Sequence, residues 1–400
     1  MNNTHPIRVL SGTLIAAALL AACQAAPLED PSSHRHESGL LPRPGAQPAS
    51  ADNYLPPSVL DLSAMSTLDA IIPALASKRV VYVGETHDRY DQHLNQLEII
   101  RRLQARNARI AIGMEFFQQP FQPHLDAYVQ GRMDEKEFLR RTEYYDRWRF
   151  DYRLYQPILA YAREHRIPVI ALNVPSEITT KVGRQGLASL TDEEKAQIPR
   201  DVDRSNQVYT DRLRIVFEQH PGGDRQFENF LSVQLLWDEG MAERAARFLT
   251  ENPEYQLVVL AGSGHLEYGQ GIPSRVARRI DAPGAIVLQG LREDLNPAMG
   301  DYLLLPEEKR LPPAGRLGAY LDTGEEGVTV QSFGEISAAR EAGIETGDRI
   351  LSLDGAPVQH YADVKIALWD KRPGDDVIVE VQRQRVLLGP KDLSFKVSLR

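Results

Sequence analysis

Four short apolar runs, each stopping abruptly on a glycine or a polar residue, limit what this chain can fold into more than any other feature. Val80-Val81-Tyr82-Val83 runs into Gly84-Glu85-Thr86-His87-Asp88, and Ile110-Ala111-Ile112-Gly113-Met114 runs into Glu115. Ile167 to Leu172 runs into Asn173, and Leu257-Val258-Val259-Leu260-Ala261 runs into Gly262-Ser263-Gly264-His265. Apolar residues at helical spacing fill the gaps, over about 90–105, 120–141, 152–165, 203–219 and 226–250. The alternation predicts βα units, hence an α/β fold with a mainly parallel sheet flanked by helices. Ligands of such sheets bind outside the carboxyl ends of the strands, so the four polar ends are expected to line one crevice.

The clearest helix carries Phe227, Phe230, Trp237, Met241, Ala245 and Phe248 on one stripe, which reads Trp237 and Met241 as core. Gln234 and Asp238 share a face one turn apart, as a wet helix edge or the wall of a site. After Ile286-Val287-Leu288 the prolines Pro306, Pro312 and Pro313 mark a linker. The expected domains are 58–305 for the α/β part, 306–313 for the linker and 314–400 for a small, mostly-β domain.

That last segment resembles a bacterial PDZ domain through Arg316-Leu317-Gly318-Ala319, Gly327-Val328-Thr329-Val330, Ala342-Gly343-Ile344, Gly347-Asp348-Arg349-Ile350 and Leu353-Asp354-Gly355. The resemblance implies capture of protein C-terminal tails by strand addition beside Leu317, Gly318 and Ala319.

Composition narrows the rest. With 400 residues, 42% hydrophobic and 25% charged, the chain is globular in balance and fits two or three domains. A formal charge of -9 argues against nucleic acid as a partner. The single cysteine excludes an internal disulfide and a cysteine-rich metal site. Its place is informative, because Arg8, the apolar run Val9 to Ala22 and then Cys23 resemble a bacterial lipoprotein signal. That implies cleavage after residue 22, acylation of Cys23 and a membrane anchor; Gln24 suggests sorting to the outer membrane, facing the periplasm. Residues 23–57, rich in Pro, Ser, Ala and Gly, read as a flexible tether in which His34 and His36 are polar spacer.

The chemistry concentrates in two Gly-x-x-His turns, Gly84 to His87 and Gly262 to His265, each directly after a strand, with Glu115 at a third strand end. Two imidazoles and a carboxylate could hold Zn, Mn or Fe as a divalent ion with open positions. Without metal they could serve as a general base and its orienting carboxylate. Glu85 and Asp88 flank His87 as carboxylates that could accept its ring N–H and fix its tautomer, or as helix-capping acids. His93, six residues on, reads as surface.

Together with Gly113-Met114-Glu115-Phe116-Phe117, Ala171-Leu172-Asn173-Val174-Pro175 and Gln234-Leu235-Leu236-Trp237-Asp238-Glu239-Gly240-Met241-Ala242, these turns resemble the ChaN family of haem-binding lipoproteins, in the wider Tiki/TraB group. The resemblance covers about residues 55–305. It implies haem as cofactor, uptake at the cell envelope, and a homodimer enclosing the haem as one arrangement. His265, Tyr268, Asn173, Gln234 and Asp238 are then the cofactor-binding candidates, with Tyr268 the first tyrosine to test as axial ligand. Metal-dependent peptidases of the wider group map their histidines and glutamate onto His87, His265 and Glu115, so a metal-dependent hydrolase served by the PDZ domain is the alternative. Related erythromycin esterases suggest a hydrolytic pocket without obligatory metal. A third reading makes the PDZ domain the working part.

Overall fold

A computed structural model describes residues 62–219, 226–290, 295–385 and 388–400. Cys23, the expected signal segment and tether, and His34 and His36 lie outside the described residues. Among the described residues no helix is long and apolar enough to cross a membrane.

The first sheet is all parallel, with strands β1 (Val80–Glu85), β2 (Ile110–Gln118), β3 (Val169–Asn173), β4 (Gln256–Gly262), β5 (Gly284–Gln289) and β6 (Tyr302–Leu304) in the order β3-β2-β4-β1-β5-β6. Period-two alternation assigns successive side chains to two different cores. Val81 and Val83 face one layer with Ile110, Ile112, Val258 and Leu260, whereas Val80 and Tyr82 face the other with Ala111, Leu257 and Val259. Both layers are apolar, which is why these strands read as unbroken hydrophobic runs.

The first layer is built from α1 (Leu68–Ala76), α2 (Tyr90–Gln104), α3 (Gln122–Val129), α4 (Glu135–Arg141), α5 (Tyr144–Arg147) and α6 (Gln156–His165). Helices α7 (Ser176–Gln185), α8 (Gln207–Gln219), α9 (Phe227–Glu251) and α10 (Ile272–Arg279) follow, and α9 covers the second face with Met241, Ala242, Ala245 and Phe248. The expected 120–141 segment breaks in two between Val129 and Glu135, through Gly131 at φ 73°. Helices α1, α5, α7 and α10 and the short strand β6 were not among the expected elements; α5 has only four residues, α7 is polar on most of its length, and α10 carries three arginines in eight residues.

The second sheet is antiparallel, ordered β12-β11-β9-β8-β7, with β10 on β9; its strands are β7 (Ala319–Gly324), β8 (Gly327–Phe333), β9 (Arg349–Leu353), β10 (Ala356–Pro357), β11 (Asp376–Arg383) and β12 (Lys391–Ser398). With α11 (Ala338–Glu341) and α12 (Tyr361–Leu368) it encloses its own core of Val328, Val330, Ile350, Val379 and Val397. The two parts are also packed together, since Ala362 and Ile366 of α12 belong to the core of the first layer, and the linker is held by Arg153 Nη1, which donates to the Pro312 carbonyl at 2.8 Å.

Candidate functional site

Strand order brings distant residues together. Strands β2, β4 and β1 are neighbours, so Glu115 near the end of β2, His265 after β4 and His87 after β1 meet at one rim, and Asn173 ends the next strand, β3. They line a pocket with Phe116, Gln118, Arg147, Trp148, Val174, Ser176, Thr179 and Trp237, of about 570 Å³ counting the space open to solvent.

Each histidine leans on a buried carboxylate. His87 Nδ1 lies 2.5 Å from Glu85 Oε1, and His265 Nδ1 lies 2.7 Å from Asp238 Oδ1. An ionised carboxylate accepts only, so each Nδ1 is the protonated nitrogen, which fixes the tautomer. The opposite ring edges meet at Glu115. Its Oε1 is 3.5 Å from His265 Nε2, its Oε2 accepts from the Gly262 amide at 2.7 Å, and the Cε1–Nε2 edge of His87 packs against Gly262. Gly262 is needed for closeness: a Cβ there would stand 3.0 Å from His87 Cε1 and 3.4 Å from Nε2.

The supporting groups are buried too. Tyr209 of α8 donates to Asp238 Oδ2 at 2.5 Å, and burial, then the neighbouring Asp238 charge, pushes its hydroxyl well above the ordinary tyrosine range. It therefore stays a donor. Burial works to raise the Glu85 carboxyl, but the charge and hydrogen bond of His87, with His93 and His265 behind, outweigh it and hold the group below its ordinary value. His93 is 1% exposed, not on the surface as its spacing suggested, because α2 turns that face onto the sheet. Its Nε2 sits 3.2 Å from the His87 carbonyl and 3.6 Å from Glu85 Oε2, and burial lowers its pKa. Tyr155 donates to the same carbonyl at 3.0 Å.

Aromatic rings form the walls. Trp148 meets His87 edge to face at 4.8 Å between centroids, and Trp237 meets His265 likewise at 6.2 Å. Trp237, read as core from its stripe, is half-buried and lines the pocket, while Met241 is buried as expected. The Trp148 wall is held by its neighbour Arg147, which donates to Gln118, Ser176 and Glu177.

The remaining candidates divide. Asn173 lines the pocket and donates to the Glu115 carbonyl at 3.2 Å. Asp238 stands behind His265 and does not line the pocket; Gln234 is buried one turn away, also outside the lining. Asp88 is exposed and caps nothing, since α2 starts after Arg89 with no side-chain cap. Tyr268, in a left-handed turn at φ 60°, lies outside the lining under the Arg212 guanidinium, and none of the described tyrosines lines the pocket. Gln118, Arg147, Trp148, Ser176, Thr179 and Tyr209 were missed, and Phe116 and Val174 stood in the quoted motifs without a role; for the missed residues the aromatic cluster Trp148-Arg149-Phe150 was the legible signal.

Two observations bear on what the donors could hold. Glu85, His87 and Glu115 each offer a ligand atom within 4.8 Å of the others. Glu85 Oε2 is buried without a hydrogen-bond partner, the environment a cation would relieve. Imidazole nitrogen is also a ligand that haem iron takes.

In the second domain Gly318 has φ 71°, and a Cβ there would come 2.5 Å from the Ile336 carbonyl oxygen. Leu317 is buried, and Ala319 opens β7, the edge strand. A PDZ domain model matches residues 315–399.

Among relatives, Protein RETICULATA-RELATED 5, chloroplastic, of Arabidopsis thaliana is 25% identical over 260 residues, 57% of this chain and 34% of that protein. The chain thus spans about a third of the length of that curated relative. A solved structure described as cofacial haem binding to ChaN of Campylobacter jejuni aligns with 60% of this chain and 92% of its own at 18% identity and a TM-score of 0.49. An erythromycin esterase in its open conformation aligns with 66% of this chain and 79% of its own at 13% identity and a TM-score of 0.35. The model for haem-binding uptake proteins, Tiki superfamily, ChaN, matches residues 71–276, which span the whole pocket, and the chain belongs to that family.

Proposed function

We propose that this protein binds haem for uptake or handling of haem iron at the bacterial envelope, held to the membrane through Cys23. The observation that carries the reading is the pair of imidazoles, each oriented by a buried carboxylate, inside an aromatic-walled pocket. His87 and His265 are the residues that would hold the iron; Tyr268 is set aside because it lies outside the lining. Bound haem would supply a redox-active iron that takes imidazole nitrogen as a ligand. The chain's own part is positional: Glu85 and Asp238 keep the ring protons on Nδ1, Trp148, Phe116 and Trp237 exclude water, and Glu115 sets the charge between the rings.

The test is an absorbance titration of ferric haem against the wild type, His87→Ala, His265→Ala and the double variant. Groups of one site are non-additive, so the double variant should lose little more than either single one. A wild type that leaves the haem band unshifted, or additive losses, would overturn the reading. For the anchor, Cys23→Ala should release the protein from the membrane fraction, since stable attachment takes two or more acyl chains.

The grouping of Glu85, His87 and Glu115 favours a second reading, a divalent-metal hydrolase of peptides or esters with substrates recruited by the PDZ domain. It predicts one metal per chain by elemental analysis and turnover on a peptide and ester panel, lost in Glu115→Gln.

A further inference from the structure

Helix α12 is built into two cores at once. Val364 and Ala367 pack inside the PDZ domain, while Ala362 and Ile366, one turn apart on another face, belong to the core of the α/β domain. On that side α12 lies against α4 and α5, with the Lys365 ammonium 5.5 Å from the centre of the Tyr145 ring and Arg140 Nε 3.7 Å from Asp363 Oδ1. Just past its end Trp369 meets Tyr152 edge to face at 5.4 Å. On the other side α12 touches β7, the edge strand to which an extended peptide adds. Tyr320 on β7 and Tyr361 at the start of α12 are 62% and 50% exposed.

Helix α5 is the second half of the connection. It has four residues, bracketed by Glu143 at φ 50° and Arg149 at φ 70°, both in the left-handed region that side chains of this hand avoid. Such backbone persists only where its surroundings over-determine it. Tyr145 faces α12; Arg147 and Trp148, at the other end of the same turn, line the pocket, and the Trp148 ring abuts His87. A close-packed interior transmits a displacement rather than absorbing it.

We propose that the turn Tyr144 to Trp148 couples the two domains, so that a C-terminal peptide seated between β7 and α12 changes how tightly the pocket beside His87 holds haem. The proposal rests on the haem reading above. Coupling between sites is reciprocal, so haem must change peptide affinity by the same factor.

The experiment uses the full chain and a short peptide selected from a random library with free C-terminal carboxylates. Saturating peptide should shift the dissociation constant for ferric haem at least about fivefold. Tyr145→Ala should abolish the shift while both ligands still bind, and Tyr145→Phe, which keeps the ring, should retain it. Hydrogen exchange over residues 143–149 on peptide addition reads the turn without haem. If haem does not bind, the haem reading falls, and that exchange measurement alone decides the coupling. Equal haem affinity with and without peptide, unchanged exchange over 143–149, or the absence of any peptide ligand overturns the proposal.

Discussion

Replacing Asp238 tests whether the site depends on its supporting carboxylates. The group is fully buried and both oxygens are engaged, by His265 Nδ1 at 2.7 Å and by the Tyr209 hydroxyl at 2.5 Å. Asp238→Ala strands two buried donors at once, and breaking a buried charged network of this kind costs about 3–5 kcal/mol. Asp238→Asn is more informative, because its amide can keep the oxygen toward His265 and turn the nitrogen toward Tyr209. Charge-assisted bonds are about twice as strong as neutral ones, so this variant should lose only about 1–2 kcal/mol of stability by urea midpoint. Its pocket should suffer more, since loss of the carboxylate that orients a ligating imidazole typically weakens binding about 10–100-fold. Tyr209→Phe supplies the contrast: it removes the outer bond alone, lowers stability by about 1 kcal/mol, and leaves haem affinity within about threefold of wild type. A folded Asp238→Asn protein that titrates with ferric haem as tightly as wild type would refute the idea that the carboxylate sets the histidine's role.

Three further outcomes are expected. Gly262→Ala places a Cβ 3.0 Å from His87 Cε1, so the ring must yield by a few tenths of an ångström; haem binding should fall sharply with a stability loss of about 1–3 kcal/mol, measured by titration and denaturant midpoint. Acid should destabilise the apoprotein in two stages. The depressed His93 pKa makes the unfolded chain take up more protons below about pH 6.5, and the depressed Glu85 pKa does the same below about pH 4.5, so stability falls as pH drops through each. His93→Gln should flatten chiefly the first stage in a pH series of unfolding midpoints, with a smaller effect on the second because His93 helps hold the Glu85 carboxyl down. Gly318→Ala, at φ 71° and 2.5 Å from a carbonyl oxygen, should abolish capture of C-terminal peptides while the α/β domain keeps its own thermal transition, read by calorimetry and peptide titration.

What could be read without coordinates was whatever a run of neighbours encodes. Apolar stretches buried in two layers announced β1 to β4, and the glycine turns after β1 and β4 announced where His87 and His265 would stand. The partnership of Asp238 with His265 could not be read that way, because it joins residues 27 positions apart through the packing of α9 beside β4. Gln234 and Asp238 share a face, yet only the second reaches a functional ring. His93 and Trp237 show the limit of helical spacing. His93 is polar but turned onto the sheet, and Trp237 is apolar but lies at the edge of its stripe, where the core gives way to the pocket. Arg147 ends a four-residue helix and Trp148 follows it as the C-cap, between two left-handed residues, too short a stretch for any periodicity to register.

The placement of the tryptophans gives the chain its own optical instrument. It has three, of which Trp148 and Trp237 stand beside the two pocket histidines and Trp369 sits at the seam between the domains. Emission from the first two should be extinguished by energy transfer to a bound porphyrin. A red shift from the third would mark the seam opening to water. Replacing each in turn with phenylalanine separates the signals, so occupancy of the pocket and separation of the domains can be followed in one cuvette without an attached dye.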